Sequence, residues 1–371
     1  MTNDPNGVIV TGATSFIGQA VTKALIKEGC QVFAVVRPDS PGRLALEQIA
    51  GEEKLCLIPG TLAAVSDIKK APSLKEGASL WLHLGWEGAG SANRQNQKLQ
   101  EKNIGYALDA MKTASQLGCS RFLFSGSQAE YGICDSWMKE EQQCHPVSEY
   151  GKDKWRVCME GRELSDKLGL AYIHTRIFSV YGPGDHPWSL IASCIRTFLS
   201  GGHMEMGPCT QLWNFLYVED AADMLVKLLL GKAPSGVYNV AGEDTRPLRA
   251  YIEELYGLCG GLGTYEFGKR LPNAEGTVSL QPDMRKLKSV QEGILCRRNK
   301  DIDRIREGEP DMKRCIACGA PLWETPLLTL DNMPASAQHM PDKENVGKDR
   351  GLTLDLCQCR GCGLIQFDCP P

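Results

Sequence analysis

Tyr150 and Lys154 stand four residues apart, a spacing that puts two side chains on one face of a helix, one turn from each other. In that placement an ammonium favours the ionised form of the phenol and draws a group of ordinary pKa about 10 toward neutral pH. A tyrosine tuned in this way can pass a proton while a nicotinamide passes a hydride. The pair follows Ser125-Gly126-Ser127-Gln128-Ala129-Glu130-Tyr131-Gly132. That order says more than the Tyr-x-x-x-Lys spacing alone, which recurs by chance in chains of this length.

A second constellation begins at Thr11. Gly12, Ala13, Thr14, Ser15, Phe16, Ile17 and Gly18 follow the apolar run Val8 to Val10 and lead into the helical pattern of Ala20, Val21, Ala24 and Leu25. Glycines at a strand-to-helix turn let backbone N–H groups approach a pyrophosphate at the positive end of the helix. The third lies near the C-terminus, where Cys315-Ile-Ala-Cys318-Gly and Cys359-Arg-Gly-Cys362-Gly form two Cys-x-x-Cys-Gly knuckles. Their spacing suits one tetrahedral structural zinc with no open position, and a redox-active pair is the alternative. Cys357 is close enough to replace Cys359, but the matched glycines favour 315, 318, 359 and 362.

The elements that must carry these groups are legible as short apolar runs alternating with helix-like segments. Val8 to Val10, Val32 to Val36, Leu55 to Ile58, Leu80 to Leu84, Phe122 to Ser125 and Tyr172 to Thr175 read as strands, with a helix at Gly18 to Lys27. This alternation predicts an α/β, Rossmann-type doubly wound parallel sheet over about residues 1–178. Past Arg176, Pro183, Pro187, Gly201, Gly202 and Pro208 loosen the pattern, and helices near Leu190 to Leu199 and Asp220 to Leu230 belong to a smaller substrate lobe, mainly 179–296. Charged residues dominate 297–311, read as a linker. A small zinc-ribbon-like module is expected over 312–371, too short to bury a core without its metal.

The chain has 371 residues, 42% of them hydrophobic, and a net charge of -4. Such a balance, with no basic run, gives no footprint for nucleic acid or an anionic membrane surface. The residues after Met1 lack the apolar run of a signal peptide, and no later stretch is long enough to span a bilayer, so a cytoplasmic location is expected. Most of the 16 cysteines are scattered singly, and Cys30, Cys56, Cys119, Cys158 and Cys194 are expected to be small buried hydrophobes.

The turn at residues 11–18, the Tyr-Lys pair and the later segments Val180-Tyr-Gly-Pro-Gly184 and Phe215-Leu-Tyr-Val-Glu-Asp-Ala221 together resemble the extended short-chain dehydrogenase/reductases of the NAD-dependent epimerase/dehydratase family, over roughly residues 8–295. The family fingerprint is Thr-Gly-x-x-Gly-x-x-Gly. Gly12 and Gly18 match it, and Ser15 replaces the middle glycine. The resemblance implies that Ser127 hydrogen-bonds a reacting carbonyl, that Ser127, Tyr150 and Lys154 form the catalytic set, and that Leu84 and Gly85 line the cofactor with Tyr150 and Lys154. His83 is expected to be a structural, hydrogen-bonded histidine, and Asn103 matches an asparagine of the following helix. A homodimer and a sugar-nucleotide substrate are also implied.

NAD enzymes of this fold end the second strand in an acid, whereas this chain has Arg37, a cation suited to a 2′-phosphate. NADP(H) is therefore expected over NAD(H). Sugar 4,6-dehydratases of the family carry an Asp-Glu pair where this chain has Gln128 and Ala129, and alanine cannot act as a base. Trp213 and Asn214 replace the family's usual Arg-Asp, which removes a common diphosphate contact. What remains is a 4-keto-sugar-nucleotide reductase, with an NAD-retaining 4-epimerase and a non-catalytic NAD(P)-binding scaffold as alternatives. Residues 312–367 resemble the zinc-binding module of sugar C-methyltransferases. The chain ends at Pro371 before any S-adenosylmethionine-binding domain, so a truncated module unable to methylate alone is expected.

Overall fold

Every residue of strand β1 (Gly7–Thr11) is buried, as a central parallel strand covered on both faces requires. The computed structural model describes residues 7–49, 54–261, 263–270, 278–290, 327–333, 352–358 and 365–367. After β1 come α1 (Phe16–Lys27), β2 (Gln31–Val36), α2 (Arg43–Ile49), β3 (Leu55–Pro59), β4 (Leu80–His83), α3 (Gln97–Gln116), β5 (Arg121–Ser127), α4 (Glu149–Leu168) and β6 (Ala171–Ile177). The chain continues through β7 (Ser179–Tyr181), α5 (Leu190–Leu199), β8 (His203–Glu205), β9 (Leu212–Tyr217), α6 (Val218–Leu230), β10 (Gly236–Val240), β11 (Thr245–Pro247), α7 (Leu248–Leu258), β12 (Thr264–Glu266) and α8 (Arg285–Val290).

Seven strands form one sheet in the order β10-β6-β5-β4-β1-β2-β3, and every neighbouring pair in it is parallel. The alternation of side chains along β1 separates two apolar layers. Val8 and Val10 pack with Val21 and Leu25 of α1 and with Ala221 and Leu225 of α6. Ile9 faces the other side, with Trp81, Ala107 and Met111 of α3 and Val157 of α4. Because β1 has β2 on one side and β4 on the other, the order in which strands are added across the sheet reverses there, and a crevice opens beyond the strand ends.

The expected sheet is present, but its extent differs from the sequence reading. Strand β10 pairs with β6 and α6 packs on α1, so part of 179–296 returns to the main sheet and the sheet does not end near 178. The run Gly236-Val-Tyr-Asn-Val240 is short and partly polar, and only its pairing reveals its place. The remainder of that region builds two small sheets, β11-β9-β7 and β12-β8. Cys30, Cys119, Cys158 and Cys194 are buried as expected, while Cys56 is half-buried. Burial pushes the thiols of Cys119 and Cys194 up to about 12, which leaves them protonated and inert.

The chain divides into two compact units, Met1–Arg304 and Ile305–Pro371. In the second, β13 (Leu328–Met333), β14 (Leu352–Gln358) and β15 (Ile365–Phe367) form an antiparallel sheet in that order. Cys357 is buried there. Cys315, Cys318, Cys359 and Cys362 lie outside the described residues. No helix among the described residues is long and apolar enough to cross a membrane.

Candidate active site

The turn after β1 is shaped by two glycines and capped by a serine. Gly12 has φ +79°, and a Cβ there would sit 2.6 Å from the Gly85 nitrogen, so the ends of β1 and β4 touch through backbone alone. A Cβ on Gly18 would overlap the Gly12 carbonyl. Ser15 occupies extended backbone (φ -74°, ψ 165°) and caps α1 by accepting from the Gly18 N–H. A residue in that conformation need not be glycine, and an N-cap hydroxyl satisfies one of the free N–H groups of the helix end. The replacement of the family's middle glycine therefore leaves the turn intact.

Beside this turn runs a cleft of about 640 Å³ lined by Gly12, Thr14, Ser15, Arg37, Ser40, Leu84, Gly85 and Trp86, among others. Glycine backbone, a helix N-terminus and a basic rim are the donor set that a dinucleotide's phosphates need, so the residues fit that group. Phe16 and Ile17 face a neighbouring cleft of about 370 Å³. That second cleft also holds Ser127, Gln128, Tyr150, Lys154, Ser15 and Leu84, so the two spaces share a wall. Ser127, Tyr150 and Lys154 therefore line one cleft.

Helix α4 places two of them. Its N-cap Ser148 accepts from the Gly151 N–H, and Tyr150 and Lys154 occupy the buried face of its first turns. Lys154 Nζ donates to the Ser125 carbonyl at 2.5 Å. It lies 4.0 Å from the centre of the Trp86 ring, 4.7 Å from that of Phe124 and 5.7 Å from that of Tyr150. Burial brings its pKa down from 10.5 to about 7, against the pull of the Glu130 carboxylate. The Arg94 guanidinium sits 4.8 Å from the centre of the Tyr150 ring, and the Arg94 carbonyl accepts from the Tyr150 N–H at 2.9 Å. Two basic groups thus lie near the Tyr150 ring.

The loop after β4 is held by two buried amides of α3. Gln100 Oε1 accepts from the Trp86 indole at 2.7 Å, and its amide donates to the carbonyls of Gly88 and Asn93. Asn103 accepts from the Glu87 N–H at 2.7 Å and donates back to the Glu87 carbonyl. These bonds press Trp86 over Lys154, a role the sequence did not reveal. His83 is structural, as expected: its Nδ1 pairs with Thr11 Oγ1 at 2.8 Å. Burial, helped by Lys154, holds it neutral with a pKa of about 3.

Beneath the cleft lies a cluster that sequence reasoning also missed. Glu130 is fully buried and meets His174 Nε2 at 2.9 Å and Arg176 Nε at 2.9 Å. Burial alone would raise its pKa, but the His174 and Arg176 charges and the Ser127 N–H outweigh it and keep the carboxylate ionised. For His174, burial works downward and the Cys158 sulfur and the Glu130 carboxylate work upward, leaving the imidazole protonated with a pKa of about 9. The one sequence signal was the Ser-x-x-Glu spacing of 127 and 130, which is a capping-box pattern. That box is present.

In the lobe, Asn214 is fully buried and donates to the Gly242 and Asp244 carbonyls at 2.9 and 2.8 Å. It ties β9 to the turn before β11 and is scaffolding. Tyr217 is buried, while Phe215 is half-buried in an edge-on contact with Tyr251. Phe178, Ser179, Val180 and His186 reach the catalytic cleft, whereas Pro183 and Gly184 lie against Phe16 and the start of α6.

A buried ammonium costs stability. The folded pKa of Lys154, about 7, is below its ordinary value of 10.5. The unfolded chain therefore binds the extra proton between those values, and this group's contribution to stability rises with pH across that window. Below it the penalty is fully present. Lys154→Met should therefore leave the Tm of the ligand-free protein at pH 6 unchanged or higher and remove that rise, while turnover falls by about 10²- to 10⁴-fold. A clear drop in Tm at pH 6 would mean that the bond to Ser125 outweighs the burial cost.

The model of the NAD dependent epimerase/dehydratase family matches residues 8–241. The dTDP-6-deoxy-L-talose 4-dehydrogenase (NAD(+)) of Aggregatibacter actinomycetemcomitans is 24% identical over 259 residues, covering 67% of this chain and 88% of that protein. Among solved structures, the UDP-N-acetylglucosamine 4-epimerase of Methanobrevibacter ruminantium M1, in complex with UDP-N-acetylmuramic acid, superposes with a TM-score of 0.71 at 22% identity. It covers 82% of this chain and 97% of its own. The UDP-glucuronic acid 4-epimerase of Bacillus cereus, in complex with NAD, gives 0.67 at 18% identity, covering 81% and 97%. With the family pattern spanning β1 to β10 and its glycine turn and Tyr-Lys pair set in adjoining clefts, this chain belongs to the NAD-dependent epimerase/dehydratase family.

Proposed function

We propose that this enzyme reduces a 4-keto-6-deoxy sugar nucleotide with NADP(H). The observation that carries the reading is Arg37, which lines the dinucleotide cleft together with Thr14 and Ser40 at the strand end where NAD enzymes of this fold place an acid. The named 4-dehydrogenase relative supports the position of the chemistry, because dehydrogenation at a sugar C4 is 4-keto reduction run backward. Gln128 in the cleft and Ala129 beside it offer no acid-base pair, which disfavours elimination of water.

The dinucleotide, when bound, supplies the hydride. Ser127 donates its hydroxyl hydrogen bond to the substrate carbonyl and orients it. Tyr150 gives its phenolic proton to the oxygen as negative charge develops there, and Lys154 and Arg94 stabilise the phenolate left behind. Trp86 closes the space over Lys154 and keeps water from the ammonium. A 4-epimerase that retains NAD is the second reading. It is favoured by the epimerase names of the structural neighbours and by NAD in one of them.

Net cofactor consumption separates the two. Purified protein should oxidise NADPH in the presence of 4-keto-6-deoxy sugar nucleotides; interconversion of UDP-sugars with no added or consumed NADPH would establish the epimerase instead. Arg37→Asp should weaken NADPH relative to NADH by about 10- to 100-fold, the worth of a charged hydrogen bond. Equal effects on the two cofactors would remove the assignment. For the cysteine knuckles, we read a structural zinc held by Cys315, Cys318, Cys359 and Cys362, supported by their spacing. Metal analysis should find about one zinc per chain, and freely titratable thiols with no metal would refute it.

A further inference from the structure

The chemistry above uses Ser127, Tyr150 and Lys154 and gives no work to the buried carboxylate below them. Glu130 Oε1 accepts from the Ser127 backbone N–H at 2.8 Å, while the Ser127 hydroxyl accepts from the Ala129 N–H at 3.2 Å. The other side of the carboxylate is fixed by His174 and Arg176, neighbours on β6. Those two are anchored in turn. Tyr172 Oη meets His174 Nδ1 at 2.9 Å, and Arg176 donates to the Glu140 carbonyl at 3.1 Å and lies over the Tyr131 ring.

The strand between the two serines is cut to fit this arrangement. A Cβ on Gly126 would overlap both His174 Nε2 and Glu130 Oε1, so a side chain there would push the carboxylate and imidazole off the strand. Every partner of the carboxylate is a side chain or an N–H of this chain, and the group is closed to solvent. It therefore has no contact with a substrate and acts only through what it holds.

We propose that Glu130 is the positioning residue for Ser127: clamped between His174 and Arg176, its carboxylate fixes the Ser127 backbone and so sets the hydroxyl in the cleft. This rests on the reading of Ser127 as the group that orients the substrate carbonyl. Two substitutions separate positioning from plain charge balance. Asp keeps the anion for the two cations but falls one methylene short of the Ser127 N–H, whereas Gln keeps an acceptor for that N–H and loses the charge.

Glu130→Asp should lower kcat at least about tenfold with KM changed less than about threefold. Adding Ser127→Ala to it should cost little beyond Ser127→Ala alone, because both act through one hydroxyl. Wild-type kcat in Glu130→Asp, or effects that multiply in the double variant, would overturn the proposal. A direct measurement needs no substrate. Hydrogen exchange at the Ser127 amide should be slow in the wild type and at least about tenfold faster in Glu130→Asp, and unchanged exchange would overturn the proposal whatever the enzyme's substrate is. Should the Asp variant not fold, Glu130→Gln serves the same measurement: slow exchange retained supports the proposal, and fast exchange overturns it. Absence of turnover in the wild type, with the exchange result as expected, would count against the reductase reading alone.

Discussion

Charge taken out of water at the C-terminal end of β5 governs the site. An ammonium, a carboxylate, an imidazole and a guanidinium are all buried within the segment 125–130 and the elements packed on it. Isolated, each would cost several kcal/mol to dehydrate. The structure offsets that cost by pairing. Glu130 answers His174 and Arg176, and Lys154 leans on the Ser125 carbonyl and the faces of Trp86 and Phe124. These partners come from β5, β6, α4 and the loop after β4. None of the four elements can shift without stranding a charge, so a well-defined cleft and a costly set of buried ions are one feature.

The dinucleotide side follows a different logic, because it is made of backbone. Gly12 and Gly18 are required by contact distance, and Ser15 is permitted because its place is an N-cap in extended conformation. The meeting of Gly12 with Gly85 joins the ends of β1 and β4 where the strand order reverses. That junction puts the phosphate-binding turn next to the strand end from which the Trp86 loop departs. The cleft beside the glycine turn and the cleft that holds Ser127, Tyr150 and Lys154 thus share Ser15, Leu84 and Trp86, as the proposed hydride transfer between them requires.

In the lobe, the second position of the family's Arg-Asp pair is occupied by a scaffolding residue. Asn214 spends its amide on the Gly242 and Asp244 carbonyls and on Thr245. Ser179, Val180 and His186 line the cleft that holds Tyr150, whereas Asn214 is buried away from solvent.

The sequence by itself determined the strand–helix alternation, the glycine turn, the Tyr-x-x-x-Lys face of α4 and the position of Ser127. Each of these is encoded within a few residues by periodicity, capping or conformational need. It also held the Ser127–Glu130 capping box, whose spacing was visible but whose purpose was not. Only the tertiary structure decided that β10 joins β6, that Trp86 covers Lys154, that Arg94 flanks Tyr150, and that His174 and Arg176 clamp Glu130. Those pairings join residues 44 to 68 positions apart, or bring a short polar strand to a sheet edge. No local pattern records them, because their members become neighbours only once the sheet has formed.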